Sequence, residues 1–291
     1  MLDQAEIGVI GGSGLYQIEG MSNVREVIVD TPFGKPSDAI VLGTLEGVQV
    51  AFLPRHARGH RLLPSEVPFR ANIYAMKTLG VQQIVSASAV GSLRDDLRPM
   101  DMVVPDQIFD RTKNRPSTFF GDGIVAHVSF ARPFCSHVGA VLVEASSSVV
   151  SRTHGGGTYV CMEGPAFSTY AESMTYRRQG FDIIGMTALP EAKLAREAEI
   201  CYGLLAQVTD YDCWRDGDET VTSDIVMANV SRNVANAKEI IRAALPLLRE
   251  HADCACRHAL EGAIPTAPSA IPREARERLA LLLDQHSAPV F

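Results

Sequence analysis

Three apolar runs in the second half of the chain each end on a chemically loaded segment. That repeated pattern limits the fold more than any other feature. Residues 158–161 run into Met162-Glu163-Gly164-Pro165-Ala166-Phe167-Ser168-Thr169, residues 181–184 into Gly185-Met186-Thr187, and residues 203–208 into Thr209-Asp210-Tyr211-Asp212-Cys213-Trp214. Short apolar runs bounded by Gly, Pro and Asp read as buried strands. In a parallel α/β sheet, ligands bind at the carboxyl ends of such strands. Three strand ends here offer an aromatic face with a hydroxyl, a Met-Thr pair, and two carboxylates two residues apart. That inventory suits a flat heterocycle with an exocyclic amine, carried on a sugar.

The N-terminal half repeats the strand-then-loop pattern. Residues 6–10 form a first strand that ends in Gly11-Gly12-Ser13-Gly14. Glycines let backbone N–H groups approach an anion, and Ser13 adds a hydroxyl, so the turn reads as a phosphate nest or as a plain tight turn. It is not a dinucleotide fingerprint, because the third small residue would fall on Gln17. Residues 24–29, 39–45 and 48–53 read as strands, the last two joined at Gly47. The chain then enters Pro54-Arg55-His56-Ala57-Arg58-Gly59-His60-Arg61, with three Arg and two His in seven residues. This is a solvated basic loop or an anion site that uses the bidentate fork of Arg. A helix over 64–79 leads to a strand from Gln83 and a second small-residue turn, Ser88-Ala89-Val90-Gly91-Ser92.

Further on, residues 101–105 read as a strand, 106–123 as a polar loop leading to His127, and 133–149 as a helix. Ser168 or Thr169 caps a helix to about Gln179. Pro190 sits in the first turn of a helix over 189–199, where proline is tolerated. A long helix spans 224–251, with Pro246 near its end, and a Pro/Ala-rich linker over 263–272 precedes a terminal helix ending near Gln285. Strands and helices alternate, which predicts one α/β domain with a mixed sheet and flanking helices. The predicted division is a body over 1–253 and a linker and helix over 254–291 packed on it.

Charge and cysteine content narrow the setting. With 34 acidic against 27 basic residues the net charge is −7, which disfavours bulk nucleic-acid or anionic-membrane binding. No apolar run approaches the roughly 20 residues of a membrane span, and the N-terminus lacks the basic region of a signal peptide. The six cysteines, at 135, 161, 201, 213, 254 and 256, show neither a zinc spacing nor a disulfide framework, which fits a reducing cytoplasm. Cys254-Ala255-Cys256 reads as two reduced thiols or as a redox-labile pair.

Taken together, Gly11-Gly12-Ser13-Gly14-Leu15, Pro54-Arg55-His56, Ala89-Val90-Gly91-Ser92-Leu93, Met162-Glu163-Gly164-Pro165, Ala171-Glu172-Ser173, Gly185-Met186-Thr187 and the segment from Glu197 to Trp214 resemble the trimeric purine nucleoside phosphorylases. Within them the resemblance is to the branch that cleaves 5′-methylthioadenosine. It implies a single-domain, three-layer α/β/α fold around a mixed sheet, and a homotrimer or dimer of trimers. It also implies phosphorolysis to adenine and 5-methylthioribose 1-phosphate, in purine and methionine salvage. Inorganic phosphate is then a co-substrate, and no metal or redox cofactor is needed.

Carried onto this chain, the phosphate site would be Ser13, Arg55, His56, Ser88, Ala89 and Thr187. The nucleoside would meet Phe167, Ser168, Met186, Asp210, Asp212, His60 and Val226, with His127 entering from a neighbouring subunit. Asp210, Asp212 and His56 would carry the catalysis. Relatives acting on 6-oxopurines usually have Glu where this chain has Ser168 and Asn where it has Asp210. An ionised Asp facing a 6-oxo group sets acceptor against acceptor, at a cost of about 1–3 kcal/mol. A protonated Asp210 would donate to N7 of the leaving base, which requires a raised pKa from burial or from Asp212. Val226 and Met227 would make the 5′ pocket apolar, while Ser223 stands where relatives often have a branched apolar residue and would tolerate a 5′-hydroxyl. Ala166 and Tyr170 replace positions that are often Arg in relatives. The rival readings are a phosphorylase for methylthioinosine or other purine nucleosides, a phosphate-independent nucleosidase, a nucleoside-binding regulator and an NAD-binding protein.

Overall fold

The computed structural model describes residues 4–12, 15, 19–215, 223–249 and 254–283, without the side chains of 223–228, 230 and 231. Strands β1 (Ile7–Gly11), β2 (Ser22–Val27), β3 (Ile40–Leu45) and β4 (Val48–Pro54) precede helix α1 (Phe69–Thr78). Next come β5 (Gln83–Ser92), β6 (Met102–Val104), β7 (Gln107–Arg111), α2 (Ser136–Val149), β8 (Thr153–Gly155) and β9 (Thr158–Met162). The order continues with α3 (Tyr170–Arg178), β10 (Ile183–Gly185), α4 (Ala188–Glu197), β11 (Cys201–Asp210) and α5 (Ser223–Arg249). Two short helices, α6 (Arg273–Arg278) and α7 (Ala280–Leu283), stand where one terminal helix was expected.

Among the described residues eleven strands join one mixed sheet, in the order β2-β3-β4-β1-β5-β10-β9-β7, with β11 branching from β5 towards β6 and β8. Strand side chains alternate between faces, and that alternation sorts the core. Ile10, Ile40 and Leu42 point to one side, with Tyr202, Leu204, Ala206 and Val208 of β11. There they meet Phe69, Ile73 and Met76 of α1 and Ala192 and Ala195 of α4. Ile7, Val9, Val41 and Leu205 point to the other side, against Val138 and Leu142 of α2 and Ile240, Ile241 and Leu245 of α5. The result is the three-layer α/β/α arrangement. Leu260, Ala275, Leu279 and Leu282 of the C-terminal segment complete the α1/α4 layer.

Three expectations need correction. The first is strand direction. β1, β4, β5 and β11 are mutually parallel, but β10 pairs antiparallel with β5, Ile183 opposite Ser92. β9 and β7 follow β10 in its direction. The segments ending at 162, 185 and 210 therefore do not share one edge of a parallel sheet; two strand sets running in opposite directions meet at β5. The second is the polar loop over 106–123, which begins with β7, paired along its length with β9. β7 is an edge strand with most side chains in solvent, so its sequence lacks the apolar alternation of a half-buried strand. The third concerns the cysteines: Cys135, Cys201, Cys254 and Cys256 lie together in space, their sulfur atoms within 4.8 Å of one another.

At Gly203 the side chains of α2 pack directly against the β11 backbone. A Cβ at this position would lie 2.4 Å from a Val138 methyl, well inside van der Waals contact. Gly203→Ala is expected to lose about 1–3 kcal/mol of unfolding free energy through overpacking, measured by urea denaturation. Parent-like stability would mean that α2 does not depend on this close approach.

Candidate active site

The site lies along β5 where the two strand sets meet. At its start, Ser88 and Thr187 hydroxyls are hydrogen-bonded at 3.1 Å. This contact follows from the antiparallel entry of β10, which returns the Gly185-Met186-Thr187 turn alongside β5. Ala89, next on β5, pairs with Gln207 of β11. Three residues beyond Ser88, Gly91 is paired with Asp210 across the β11 register and with Ile184 across β10. The stretch from Ser88 to Gly91 spans about 10 Å, with hydroxyls at one end and carboxylates at the other. A Cβ on Gly91 would lie 2.9 Å from Asp210 Oδ1 and 3.3 Å from the Asp212 Cβ. Glycine there makes room for both acids.

Asp210 accepts from the Thr209 hydroxyl at 2.7 Å and from the Asp212 amide at 2.8 Å. Burial pushes its carboxyl above the ordinary Asp value, and the nearby Asp212 charge adds to the rise against those two hydrogen bonds. Asp212 is also raised by burial. Its backbone is left-handed, at φ 52°, a conformation Asp tolerates better than most residues. The Asp212 Oδ2 is buried without a hydrogen bond of standard geometry, although the Ser173 and Ser168 hydroxyls act on the carboxylate. The turn is pinned from behind by Trp214, whose indole N–H donates to Ser92 O at 2.7 Å. The Arg177 guanidinium lies over the same indole ring, 3.4 Å from its centroid.

Helix α3 is capped by Thr169, not Ser168, in a reciprocal capping box with Glu172. Ser168 is thereby left beside the acids, its carbonyl accepting from Cys213 Sγ at 3.3 Å. Phe167 is 41% exposed.

The basic loop is less positive than its composition suggests. Arg58 pairs with Glu26 at 2.7 Å. Arg55 is only 2% exposed and bonds Glu191 through Nε at 2.8 Å and Nη2 at 2.9 Å. Nη1 donates to Ala87 O, and Nη2 also reaches Ser86 Oγ and Ile10 O. Of the guanidinium's five donors, one on Nη1 is not used by these contacts. The paired charge of Glu191 raises the Arg55 pKa despite its burial, so the guanidinium stays ionised.

His56 is pushed down to about 4, chiefly by burial, so its ring is neutral near pH 7. Its Nδ1 lies 2.8 Å from Leu62 O. A carbonyl can only accept, so Nδ1 carries the proton and Nε2 keeps a lone pair. That lone pair suits a protonated oxygen of an oxyanion. His60 stacks on His56 with ring centroids 4.4 Å apart.

Of the other expected residues, Met186 is half-buried with its carbonyl held by Arg115 at 2.7 Å. His127 is exposed, on a loop whose amide donates to Ala263 O at 2.8 Å. Ser13 lies outside the described residues. Val226 falls within α5, but its side chain, like those of Ser223 and Met227, lies outside them.

Residues 6–246 match the phosphorylase superfamily. The chain belongs to that superfamily. It is 57% identical over 290 residues to the S-methyl-5′-thioadenosine phosphorylase of Gloeobacter violaceus, covering 98% of this chain and 97% of that one. It is 55% identical to the protein of the same name from Geobacter sulfurreducens, covering 96% and 98%. Among solved structures it resembles a methylthioadenosine phosphorylase from an antarctic soil metagenomic library, with a TM-score of 0.93, 54% identity and coverage of 97% and 99%. It also resembles the Schistosoma mansoni methylthioadenosine phosphorylase in complex with adenine, with a TM-score of 0.82, 36% identity and coverage of 89% and 99%.

Within this phosphorylase fold, two residues that support the site were not evident in the sequence. Glu191 accepts from Arg55, Ser86 at 2.8 Å and the Tyr202 hydroxyl at 2.8 Å. Its only signal was an acid on an otherwise apolar helix face, beside Leu189, Ala192 and Ala195. Arg115 donates to the carbonyls of Met162, Glu163, Met186 and Leu189, so it ties the β9 and β10 loops together. Nothing in its polar segment marked it out.

Glu191→Gln keeps the side-chain volume but leaves the Arg55 charge buried without its counter-ion. The expected cost is about 3–5 kcal/mol of stability, read from the shift in denaturant midpoint. A loss below about 1 kcal/mol, the scale of an exposed pair, would show that water or another group compensates Arg55.

Proposed function

We propose that this chain catalyses the phosphorolysis of 5′-methylthioadenosine, giving adenine and 5-methylthioribose 1-phosphate. The observation that carries the base assignment is Asp210: a partly buried carboxyl of raised pKa beside Asp212, at the far end of β5 from a hydroxyl pair. In this reading Ser88 and Thr187 hold the phosphate with the backbone at Ala89, the free Arg55 donor and the Ser13 turn. His56 accepts from a protonated phosphate oxygen through Nε2. Phosphate attacks the anomeric carbon as the glycosidic bond breaks, and its charge stabilises the oxocarbenium-like sugar. Asp210, protonated, donates to N7 of the departing purine. Asp212 and Ser168 face the exocyclic amine, Met186 and Phe167 flank the sugar and base, and His60 and Val226 border the 5′ group.

The deciding assay follows purine release from 5′-methylthioadenosine, adenosine and 5′-methylthioinosine, each with and without phosphate. Adenine release from methylthioadenosine that depends on phosphate is expected. Release without phosphate would make the enzyme a nucleosidase, and preference for methylthioinosine would overturn the Asp210 assignment. Asp210→Asn is expected to lose about 10²–10⁴-fold in kcat with adenine nucleosides, the usual range for a general acid, and to shift preference towards 6-oxopurines.

The proposal extends to the assembly. Phe109, Val125, Phe167 and Tyr170 are exposed large hydrophobic residues, and His127 is exposed near Val125. A homotrimer or dimer of trimers would cover such groups and bring His127 to a neighbouring site. Sedimentation of fully active enzyme as monomers would refute the shared site. A cytoplasmic role in purine and methionine salvage accords with the proposed reaction; among the described residues no helix is long and apolar enough to cross a membrane.

A further inference from the structure

Four of the six cysteines converge away from the proposed active site. Cys135 immediately precedes α2, and its amide donates to Tyr202 O at 2.8 Å, which holds it against the start of β11. Cys201 is the first residue of β11. Cys254 and Cys256 arrive on the turn that follows the long helix, closed by the Arg257 amide donating to Cys254 O at 2.9 Å. The four sulfur atoms lie within 4.8 Å of one another, with Cys135 and Cys254 at 3.5 Å. All four are free thiols; three are buried and Cys254 is partly so.

We propose that these four cysteines form a structural zinc site that fastens the C-terminal segment to the body of the protein. Four sulfur donors converging from three separate parts of the fold match the closed tetrahedral coordination of structural zinc. Sulfur atoms about 2.3 Å from a central ion lie roughly 3.8 Å apart at tetrahedral corners, so small adjustments of the thiols would accommodate it. Binding replaces four S–H protons with one Zn²⁺, releases four protons and leaves a centre of net charge −2. Positive potential is present to offset it. Cys135 is the N-cap of α2 and so sits at the positive end of that helix. The Arg196 guanidinium acts on Cys256 and is held by the carbonyls of Ser129 and Arg132.

The position gives the site a purpose. Beyond Cys256 the chain has little regular structure until α6, yet it contributes Leu260, Ala275, Leu279 and Leu282 to the core. It is also tied down by the Leu260 amide donating to Glu199 at 3.0 Å and by Ala263 O accepting from the His127 amide. Cross-linking Cys254 and Cys256 to α2 and β11 would hold this segment, and through it the His127 loop, in place.

The test uses the full-length protein, produced with zinc and purified under reducing conditions. Metal content is measured by plasma mass spectrometry, and zinc release is followed with a chromogenic chelator during titration with a mercurial thiol reagent. One zinc per chain is expected, released as the thiols react and absent from the Cys254→Ser/Cys256→Ser variant. Cobalt-substituted protein should show the intense visible bands of a tetrahedral tetrathiolate, a readout independent of how well that variant folds. Removing the zinc should lower the melting temperature while phosphorolysis persists below it. Zinc-free protein from zinc-replete cells would overturn the proposal, whether its thiols titrate freely or mass mapping finds disulfides among them. So would zinc that survives in the double variant, or activity that tracks metal content while the fold is intact.

Discussion

The buried pair of Arg55 and Glu191 is the contact on which the geometry of the site depends. Arg55 follows β4; its guanidinium reaches Ile10 of β1 and Ser86 and Ala87 of β5. Glu191, in the first turn of α4, reaches Ser86 again and Tyr202 of β11. Five elements are thus referenced to two charges, both essentially out of solvent. Desolvating such charges is expensive, and an apolar substitute of similar volume often matches or exceeds the stability of the pair. Its distinctive contribution here is positional. Many directional bonds must be satisfied together, so the ends of β1, β4 and β5 and the start of α4 have little freedom to slide. Thr187, just before α4, inherits that precision, and the Ser88–Thr187 contact with it.

The second constraint is the reversal at β5. A parallel sheet would present its loops along one edge, and the apolar runs ending at 162, 185 and 210 invited that reading. The antiparallel pairing of β10 instead folds the Met186-Thr187 turn back onto the middle of β5, opposite the direction in which β11 delivers Asp210. Hydroxyls and carboxylates therefore stand along one strand, at a separation set by the rise of that strand. Arg115 then binds the two loops on the far side through the carbonyls of Glu163 and Met186.

What was legible in the sequence follows from these contacts. The Asp210-Tyr211-Asp212 turn stood out because a long apolar run leads into it, and buried strands announce themselves by composition. The helices expected over 64–79 and 224–251 were legible through their apolar periodicity, although the first begins only at Phe69. β7 was not, because an edge strand with polar faces carries no periodic signal. Glu191 and Arg115 were hidden for a different reason. A charged residue reads as solvated unless its partner is known, and those partners are distant in sequence or are backbone carbonyls. The cysteines show the same limit: Cys254-Ala255-Cys256 is a local pattern, but its convergence with Cys135 and Cys201 exists only in the fold.

Charge ties the site together. Arg55 is balanced by Glu191, His56 is held neutral by burial, and the Asp210 carboxyl is shifted towards its protonated form. The site thus limits the uncompensated charge that it buries, which is the cheaper arrangement. Under the proposed reaction, phosphate brings negative charge to the hydroxyl end of β5. A nearby anion favours the protonated form of a carboxyl. Phosphate binding would therefore raise the pKa of Asp210, increasing the fraction able to donate to N7. The nucleophile and the acid act on opposite sides of the glycosidic bond, and this coupling would favour the protonated acid when the nucleophile is present.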